Sequence, residues 1–248
     1  MTVPDLLPTL LGVGALLLTA TIALFLFRVP YAWAPAIAIL RGVVQLAVIS
    51  AVLTGIVTNP VLIGVALVVM FVVATFVAAG RAGRSARTVL VMGASIGAGV
   101  TASLVVVFAT GALELTPRYA LAIGAIVIGN SMGIAVLTAR TFTSAVSDHW
   151  DEVEGWLALG ATPRESTVRI ARRSVREALI PSIDQTRTTG LVVLPGAFVG
   201  AIFGGLSPLE AGRFQIVVLA AIMAAGALTA VLIAIWLGAV RTRPAQPG

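Results

Sequence analysis

The sequence predicts an all-α membrane protein, a polytopic bundle of about seven transmembrane helices with a helix pair on its cytoplasmic side. Of the 248 residues, 59% are hydrophobic and only 10% are charged, and the mean hydropathy is +1.07. Soluble domains carry about 25% charged residues. Apolar runs of the roughly 20 residues that a helix needs to cross a bilayer recur along the chain. The short alternating segments of a membrane β-barrel are absent.

Seven segments are predicted to span the membrane. In chain order they are Leu7–Phe27, Ala34–Val57, Val61–Ala79, Val89–Thr110, Tyr119–Thr138, Ile183–Leu206 and Phe214–Leu237. The sixth begins with polar residues and contains Pro195-Gly196, which is expected to break its helix near the middle.

The positive charges predict the orientation. All 16 basic residues are arginine. With the N-terminus outside, the cytoplasmic side collects Arg28, Arg81, Arg84, Arg87, Arg140, Arg164, Arg169, Arg172, Arg173, Arg176, Arg187, Arg241 and Arg243. The outer side receives Arg118 and Arg213, and Arg41 lies within a span. The positive-inside rule gives N-out, C-in, with residues 139–182 cytoplasmic. Arginines on the inner rim meet anionic lipid head groups, so the pI of about 11.4 does not indicate nucleic-acid binding.

The residues that are missing exclude several kinds of chemistry. There is no cysteine, and therefore no disulfide or thiolate metal site. There is no lysine, which a phosphate-binding P-loop requires, so the chain is not expected to hydrolyse ATP by itself. The one histidine, His149, has no catalytic partners in the sequence. No catalytic residue and no metal site are predicted.

A polar stretch between the fifth and sixth predicted spans has the capping residues of two short helices joined by a turn. Thr162 suits a helix N-cap, Pro163 the first helical position, and Glu165 completes a capping box. Gly160 suits the left-handed residue that ends the preceding helix. So tight a turn predicts a compact knob on the membrane surface. On a chain that otherwise spans lipid, such a knob is suited to docking another protein.

Beyond this turn the sequence predicts a basic amphipathic helix on the inner membrane surface, ending at Pro181. Its apolar face contains Val168, Ala171, Val175 and Leu179, and its other faces carry Arg169, Arg172, Arg173 and Arg176. One interpretation is a surface helix that only anchors the loop. The other is that Glu154–Glu165 forms the coupling helix of an ABC-transporter permease, inserted in a groove of a separate ATPase.

The motif Glu154-Gly-Trp-x3-Gly160 resembles the E-A-A-x3-G loop of ABC permeases, with Gly155 and Trp156 in place of the two alanines. Gly160-Ala-Thr-Pro163 is a frequent form of the glycine turn of that loop. Over nearly the whole chain the sequence is similar to the FetB family of iron-export permeases. The segments that carry this resemblance are Arg41–Leu46, Gly129–Met132, Leu157–Arg164, Ser174–Asp184, Gly190–Gly196 and Phe214–Ile216.

The resemblance implies one permease domain over residues 1–248, located in the cell (inner or plasma) membrane. It implies a homodimer that works with a FetA-like cytoplasmic ATP-binding subunit, which binds the ATP and magnesium. The residues expected to couple to that subunit are Glu154, Leu157, Gly160, Ala161, Thr162, Pro163 and Glu165. Bacterial members are assigned to iron export and resistance to peroxide stress, and plant relatives to aluminium tolerance and nucleotide-sugar export. A metal and a non-metal cargo therefore both stay open.

Polar residues within the spans indicate a candidate transport path, because an ionisable group in lipid needs a partner or a water-filled cavity. Arg41 lies in the second span, with Gln45 one turn further on the same face. Arg41 either snorkels to the cytoplasmic interface or pairs with Asp184. Asp184, Thr188 and Pro195 share a face of the sixth span, and broken helices of this kind often expose backbone groups at a substrate site.

Small residues in the fourth and fifth spans predict close helix packing. They are Gly93, Gly97 and Thr101 in the fourth span, and Ala125, Gly129 and Gly133 in the fifth. Asn130 and Met132, next to the small residues of the fifth span, offer an amide oxygen and a thioether to the path. Gln215, near the outer end of the last span, is a further candidate.

Two other classes of function remain as alternatives. A non-transporting membrane scaffold for an ATPase would need a large extracytoplasmic domain, whereas the predicted outer loops are short. An ion-coupled secondary transporter would need inverted repeats and intramembrane carboxylates, and the sequence shows neither.

Overall fold

The protein is all-helical, as the sequence predicts. A computed structural model describes residues 3–56 and 59–244, and this part of the chain contains nine helices and no strand. The helices are α1 (Val3–Leu26), α2 (Ala34–Ile56), α3 (Pro60–Ala82), α4 (Ala86–Ala109), α5 (Pro117–Asp148), α6 (Trp150–Ala158), α7 (Pro163–Thr188), α8 (Gly196–Phe203) and α9 (Pro208–Leu237). Val57, which the sequence places at the end of the second span, lies outside the described residues.

The chain divides into two compact units, Met1–Thr58 and Asn59–Gly248. In the first unit, α1 packs against α2. The turn after α1 is closed by hydrogen bonds from Arg28 N–H to the Phe25 carbonyl and from Val29 N–H to the Leu24 carbonyl. Arg28 has a φ of 56° and takes the left-handed position that glycine usually fills in this kind of helix end. The expected single-domain organisation stays a prediction.

Six helices in the described residues are long and apolar enough to cross a membrane: α1, α2, α3, α4, α5 and α9. They match six of the seven predicted spans, and the differences are confined to the helix ends. The fifth is longer than expected, because α5 has 32 residues and continues ten residues beyond Thr138. At a rise of 1.5 Å per residue it is about 48 Å long, against roughly 30 Å of bilayer hydrocarbon, so α5 extends beyond the hydrocarbon layer.

In the second unit, α5 and α9 run in the same direction. Near the start of each helix the rings of Tyr119 and Phe214 are 5.6 Å apart. Midway, Ile134 packs against Gly226. Just past their far ends, Arg243 Nη2 donates to the Ser147 carbonyl at 3.0 Å. Two parallel helices need a return crossing between them, so the chain from residue 149 to 207 must traverse the bundle once.

Helices α3 and α4 complete the main core with α5 and α9. Gly93 and Gly97 of α4 lie against Thr75 and Phe71 of α3, which confirms the predicted close packing of the fourth span. Gly99 of α4 lies against the Ala225 carbonyl of α9. The core between these helices includes Met92, Ile96, Ile123, Val127, Val218 and Ala225, none more than 1% exposed.

The return crossing differs from the prediction, because Ile183–Leu206 is not one helix. α7 continues through Pro181 and ends at Thr188, and a turn with Gly190 at φ +82° follows. A new short helix, α8, begins after Pro195, which serves as its N-cap. The physical reason is local: Gly190 allows the left-handed turn, and proline disfavours helical geometry in the residue before it. The predicted break exists, but it falls at residues 189–195.

The direction and length of α7 also differ from the prediction. α7 does not lie as a surface helix that ends at Pro181; it runs antiparallel to α9 through the bundle. At its start Thr167 Oγ1 donates to the Gly238 carbonyl at 2.7 Å, and three turns later Leu179 packs near Gly226. Small buried residues, Ser174 and Ala178, permit this close packing. Together α7, the turn and α8 form the return crossing.

Candidate functional site

The knob predicted between the fifth and sixth spans is present. Helix α6 ends in a Schellman-type turn, in which Gly160 N–H donates to the Leu157 carbonyl at 3.0 Å and Ala161 N–H donates to the Trp156 carbonyl at 3.0 Å. Gly160 has a φ of +91°, a left-handed conformation that a residue with a Cβ adopts only under strain. Only two residues separate this glycine from the start of α7, so α6 and α7 form a tight helix pair.

The capping box at the start of α7 is complete. Thr162 Oγ1 accepts from Glu165 N–H at 3.4 Å, and Glu165 Oε2 accepts from Thr162 N–H at 2.7 Å and from its hydroxyl at 2.6 Å. These hydrogen bonds, from the hydroxyl first and the backbone N–H second, hold the pKa of the Glu165 carboxyl below its ordinary value. Pro163 occupies the first helical position, where its missing N–H has no consequence.

Acidification is expected to loosen the first turn of α7. A carboxyl whose pKa is lower in the folded state stabilises that state above its unfolded pKa, and this contribution is lost as the pH falls through the folded pKa. Protection of the Glu165 and Ser166 amides from hydrogen exchange, corrected for intrinsic rates, should fall below about pH 4.5. Glu165→Gln should remove that pH dependence. Protection that stays constant with pH in the unmodified chain would contradict this role of Glu165.

Three further features hold α6 in place. Arg169 Nη1 lies 3.3 Å from Glu152 Oε1 and joins α7 to α6. Val153 of α6 is fully buried. Asp148 ends α5 directly before α6 begins at Trp150, and His149 Nδ1 donates to the Ala145 carbonyl at 3.0 Å. Helix α6 is therefore held on both sides, by the end of α5 and by the start of α7.

The tip of the knob exposes apolar side chains. Leu159 is 83% exposed and Trp156 is 47% exposed, whereas Leu157 is half-buried. Glu154 is exposed beside them. The predicted coupling residues include Leu157 but not Leu159 or Trp156. The sequence alone gives no signal for Leu159, because its exposure depends on how Gly160 turns the chain.

The knob lies at the basic end of the second unit. Arg81, whose carbonyl accepts from Arg140 Nε at 3.2 Å, ends α3 at this level, and Arg243 contacts Ser147 here. Arg187 is an exception to the predicted distribution, because it lies in the last turn of α7, toward the opposite end. Even when Arg187 is counted at the outer end together with Arg118 and Arg213, the end of the bundle that holds the knob carries many more arginines. The positive-inside rule therefore still predicts that the knob is cytoplasmic.

The predicted path residues of the second unit lie in two places, on the return crossing and on α5 and α9. Asp184 is exposed and lies 3.6 Å from Arg187 Nη1, and Thr188 Oγ1 donates to the Asp184 carbonyl. Pro195 lies just beyond the break in the return crossing. Arg41 and Gln45 are exposed on α2 of the first unit, so the pairing of Arg41 with Asp184 stays a prediction.

The remaining path candidates lie on α5 and α9. Asn130 Nδ2 donates to the Ile126 carbonyl at 2.8 Å, and Met132 is half-buried against the core. Gln215 is only 5% exposed, and its Oε1 has no hydrogen-bond partner among the described residues. The small-residue ridge of α5 is open at two points, since a Cβ at Gly129 or Gly133 would meet no atom within 4 Å. The packing predicted for that ridge is therefore not seen at these two glycines.

Comparison with known proteins identifies relatives of the chain. Residues 8–241 match the family described as "Uncharacterised protein family (UPF0014)". The "UPF0014 membrane protein STAR2" of Oryza sativa subsp. japonica is 38% identical over 79% of this chain and 69% of its own. The "Protein ALUMINUM SENSITIVE 3" of Arabidopsis thaliana is 36% identical over 77% of this chain and 71% of its own.

A bacterial relative carries a functional name. The "Probable iron export permease protein FetB" of Escherichia coli (strain K12) is 33% identical over 56% of this chain and 52% of its own. No solved structure matches the chain.

Proposed function

The chain belongs to the UPF0014 family of multi-pass membrane proteins, and from that premise we propose that it is the membrane-spanning permease subunit of an ABC transporter, energised by a separate ATPase. The single observation that carries the proposal is the knob formed by α6 and the start of α7. It is a tight, capped helix pair at the basic end of the bundle, with apolar side chains exposed at its tip. An exposed tryptophan and leucine on a rigid support are suited to bind a groove of a partner protein.

The knob is positioned to transmit a movement to the helices of the bundle. α7 begins at the capping box, packs along α9 and α5, and ends at the turn around Gly190. A displacement of the knob therefore moves a continuous helix of 26 residues whose far end adjoins the break in the return crossing. ATP binding by two partner subunits would move the knobs of two copies of this chain, and the breaks at residues 189–195 would absorb the change of geometry.

ATP hydrolysis belongs to the partner in this proposal. The chain has no lysine with which to build a phosphate-binding P-loop, and the relative named FetB is described as a permease. The partner is a FetA-like cytoplasmic ATP-binding subunit that holds ATP and magnesium. The permease itself contributes the path, the knob and the second copy needed for a symmetric transporter.

The cargo we propose is iron or another metal species, moved out of the cytoplasm. Support for a metal comes from the names of the relatives, one an iron export permease and one an aluminium-sensitivity protein. Asp184, Thr188, Pro195 and Gln215 are proposed to line the outer part of the path, because all four lie on the return crossing or on α9 toward the outer end. Gln215 is the most informative of them, since an unpaired buried amide oxygen is costly unless it serves a ligand.

Reconstitution tests the proposal. Proteoliposomes that contain the chain and the ATP-binding subunit are loaded with magnesium ATP, and the ATPase rate and the flux of free and citrate-chelated iron are measured together. We expect the permease to stimulate the ATPase and ATP to drive flux of one iron form. An ATPase rate unaffected by the permease, with no ATP-driven flux of any offered cargo, would contradict it.

Loss of the knob's cap should reduce coupling more than it reduces stability. Thr162→Ala removes one capping box, at a cost of about 1 kcal/mol in helix stability. Ser207→Ala is a matched control, because Ser207 and Glu210 form the same capping box at the start of α9, at the opposite end of the bundle. Both variants should unfold at similar temperatures, whereas Thr162→Ala alone should lower ATPase stimulation. Equal stimulation by the two variants would count against a coupling role for this turn.

A further inference from the structure

A groove between α7 and α9 lies at the basic end of the second unit, on a surface that the proposed function does not use. Its volume is about 570 Å³, within the range of roughly 300–1,000 Å³ that is typical of small-ligand sites. The groove opens beside Arg164 and Gly238, where α7 begins and α9 ends. It then follows the two helices into the apolar part of the bundle, as far as Val175 and Val231.

The two arginines that line this groove have no acidic partner among the described residues. Arg164 and Arg172 are both exposed, and neither belongs to an ion pair in the described part of the chain. Arg169, Arg173 and Arg187 of α7 differ in this respect, whereas Arg176 is also unpaired among the described residues but does not line the groove. Arg169 pairs with Glu152 at 3.3 Å and Arg173 with Glu177 at 2.7 Å. The groove therefore presents two guanidinium groups that are free to bind an anion.

The walls of the groove are apolar. Its aliphatic lining consists of Val168, Ala171, Val175, Val231, Ala234 and Ile235. The one hydroxyl in the lining, on Thr167, is occupied by its hydrogen bond to the Gly238 carbonyl at 2.7 Å. The site thus combines one guanidinium group at its mouth and a second about two turns further along α7 with a hydrocarbon surface, which suits an amphiphile with an anionic head.

The position of the groove fits the inner leaflet of the bilayer. The predicted span on α9 ends at Leu237, one residue before the Gly238 that marks the groove's mouth. The arginines at this end of the bundle place it on the cytoplasmic side, where the anionic lipids of a membrane attract basic groups. Arg164 therefore lies near the end of that span, and Arg172, about 12 Å deeper along α7, has a side chain long enough to extend its guanidinium group toward the head groups.

We propose that this groove binds an anionic glycerophospholipid of the inner leaflet. The phosphate interacts with Arg164 and Arg172, and one acyl chain lies along Ala171, Val175 and Val231. The inference depends on the placement of the chain in a membrane and not on the ABC-transporter proposal. Because α7 carries both the groove and the knob, a bound lipid would also brace the helix that the knob moves.

Lipid binding to the full chain, purified in detergent, tests the inference. The probes are dioctanoyl phosphatidylglycerol, dioctanoyl phosphatidylcholine and inorganic phosphate, and binding is measured by native mass spectrometry. We expect phosphatidylglycerol to bind more tightly than phosphatidylcholine. The double variant Arg164→Gln/Arg172→Gln should weaken phosphatidylglycerol binding about 30-fold, as expected for two basic groups near a lipid phosphate.

A matched control has the same change of charge on the same helix. Arg173→Gln/Arg176→Gln removes two arginines of α7 that do not line the groove, and it should leave phosphatidylglycerol binding unchanged. Ala171→Trp, which fills the apolar part of the groove, should weaken phosphatidylglycerol binding and spare any binding of inorganic phosphate. Unfolding temperatures show whether each variant is folded.

Three results would overturn the inference. The first is equal loss of phosphatidylglycerol from both double variants, which would indicate a general charge effect. The second is inorganic phosphate that competes fully with the lipid while Ala171→Trp has no effect, which would indicate a site for free phosphate. The third is undiminished lipid binding in Arg164→Gln/Arg172→Gln, which would indicate that something else, such as a second copy of the chain, covers this face.

Discussion

The double variant Trp156→Ala/Leu159→Asp is expected to abolish ATP-driven transport while the helices stay folded. Leu159 is 83% exposed, so its loss removes little packing within the chain, and Trp156, at 47%, is covered only in part. In a protein interface, truncation of a hot-spot residue, often a buried tryptophan, costs about 2 kcal/mol or more, which corresponds to roughly 30-fold in affinity. Loss of both anchors should therefore weaken ATPase binding by at least about 30-fold, and ATPase stimulation should disappear with it.

The control for this variant is Leu115→Asp, in the connection between α4 and α5 at the outer end. Leu115 is 75% exposed, so the substitution changes a comparably exposed leucine on the opposite side of the membrane. It should leave ATPase binding and transport intact. Co-purification of the ATP-binding subunit, ATPase rate and unfolding temperature are measured for both variants. Normal co-purification with Trp156→Ala/Leu159→Asp would show that the tip of the knob is not the docking surface.

The second large effect is expected at Gly99, where α4 and α9 are closest. A Cβ at this position would lie 2.5 Å from the Ala225 carbonyl oxygen and 2.5 Å from Thr229 Oγ1. The carbonyl belongs to the backbone of α9 and cannot rotate away, so Gly99→Ala must push the helices apart. Overpacking of this kind typically costs about 1–3 kcal/mol. The hydrogen bonds from Ser103 Oγ to the Ala221 carbonyl and from Thr229 Oγ1 to the Ser95 carbonyl would lengthen as well.

Gly133→Ala provides the matched comparison. A Cβ at Gly133 meets no atom within 4 Å, and alanine favours helix over glycine by up to about 1 kcal/mol. In thermal unfolding of the purified chain, Gly99→Ala should lower the midpoint and Gly133→Ala should leave it unchanged or raise it. Equal midpoints for the two variants would contradict the close contact of α4 with α9. A low midpoint for Gly133→Ala alone would show that another helix covers that face.

The features that the sequence predicts well are the ones determined locally. Six spans follow from apolar composition, and the turn at Gly160 and the capping box at Thr162 follow from residues within three positions of each other. The chemistry of a glycine with positive φ, a threonine cap and a proline at the first helical position does not depend on the rest of the chain. The knob was therefore predictable from about ten residues.

The features that the sequence mispredicts depend on distant contacts. The composition of α7 is that of a basic amphipathic helix, and only its packing against α5 and α9 shows that it crosses the bundle. Pro181 ends many helices, but here the neighbouring helices stabilise α7 on both sides of it. Leu159 was missed because its exposure depends on how Gly160 turns the chain. Whether the predicted path residues lie around one cavity depends on side-chain positions, which the spacing of apolar residues does not determine.

The account depends on the knob facing the cytoplasm and binding an ATPase there, and the absence of native cysteine allows a direct test. Leu159→Cys and, as a control at the outer end, Leu115→Cys each introduce a single thiol, which is labelled with a membrane-impermeant maleimide in oriented vesicles. We expect Leu159→Cys to react only in inside-out vesicles and to be protected when the ATP-binding subunit is added, while Leu115→Cys reacts only from the outside. Labelling of Leu159→Cys from the outer side, or labelling that the ATP-binding subunit does not reduce, would contradict the account.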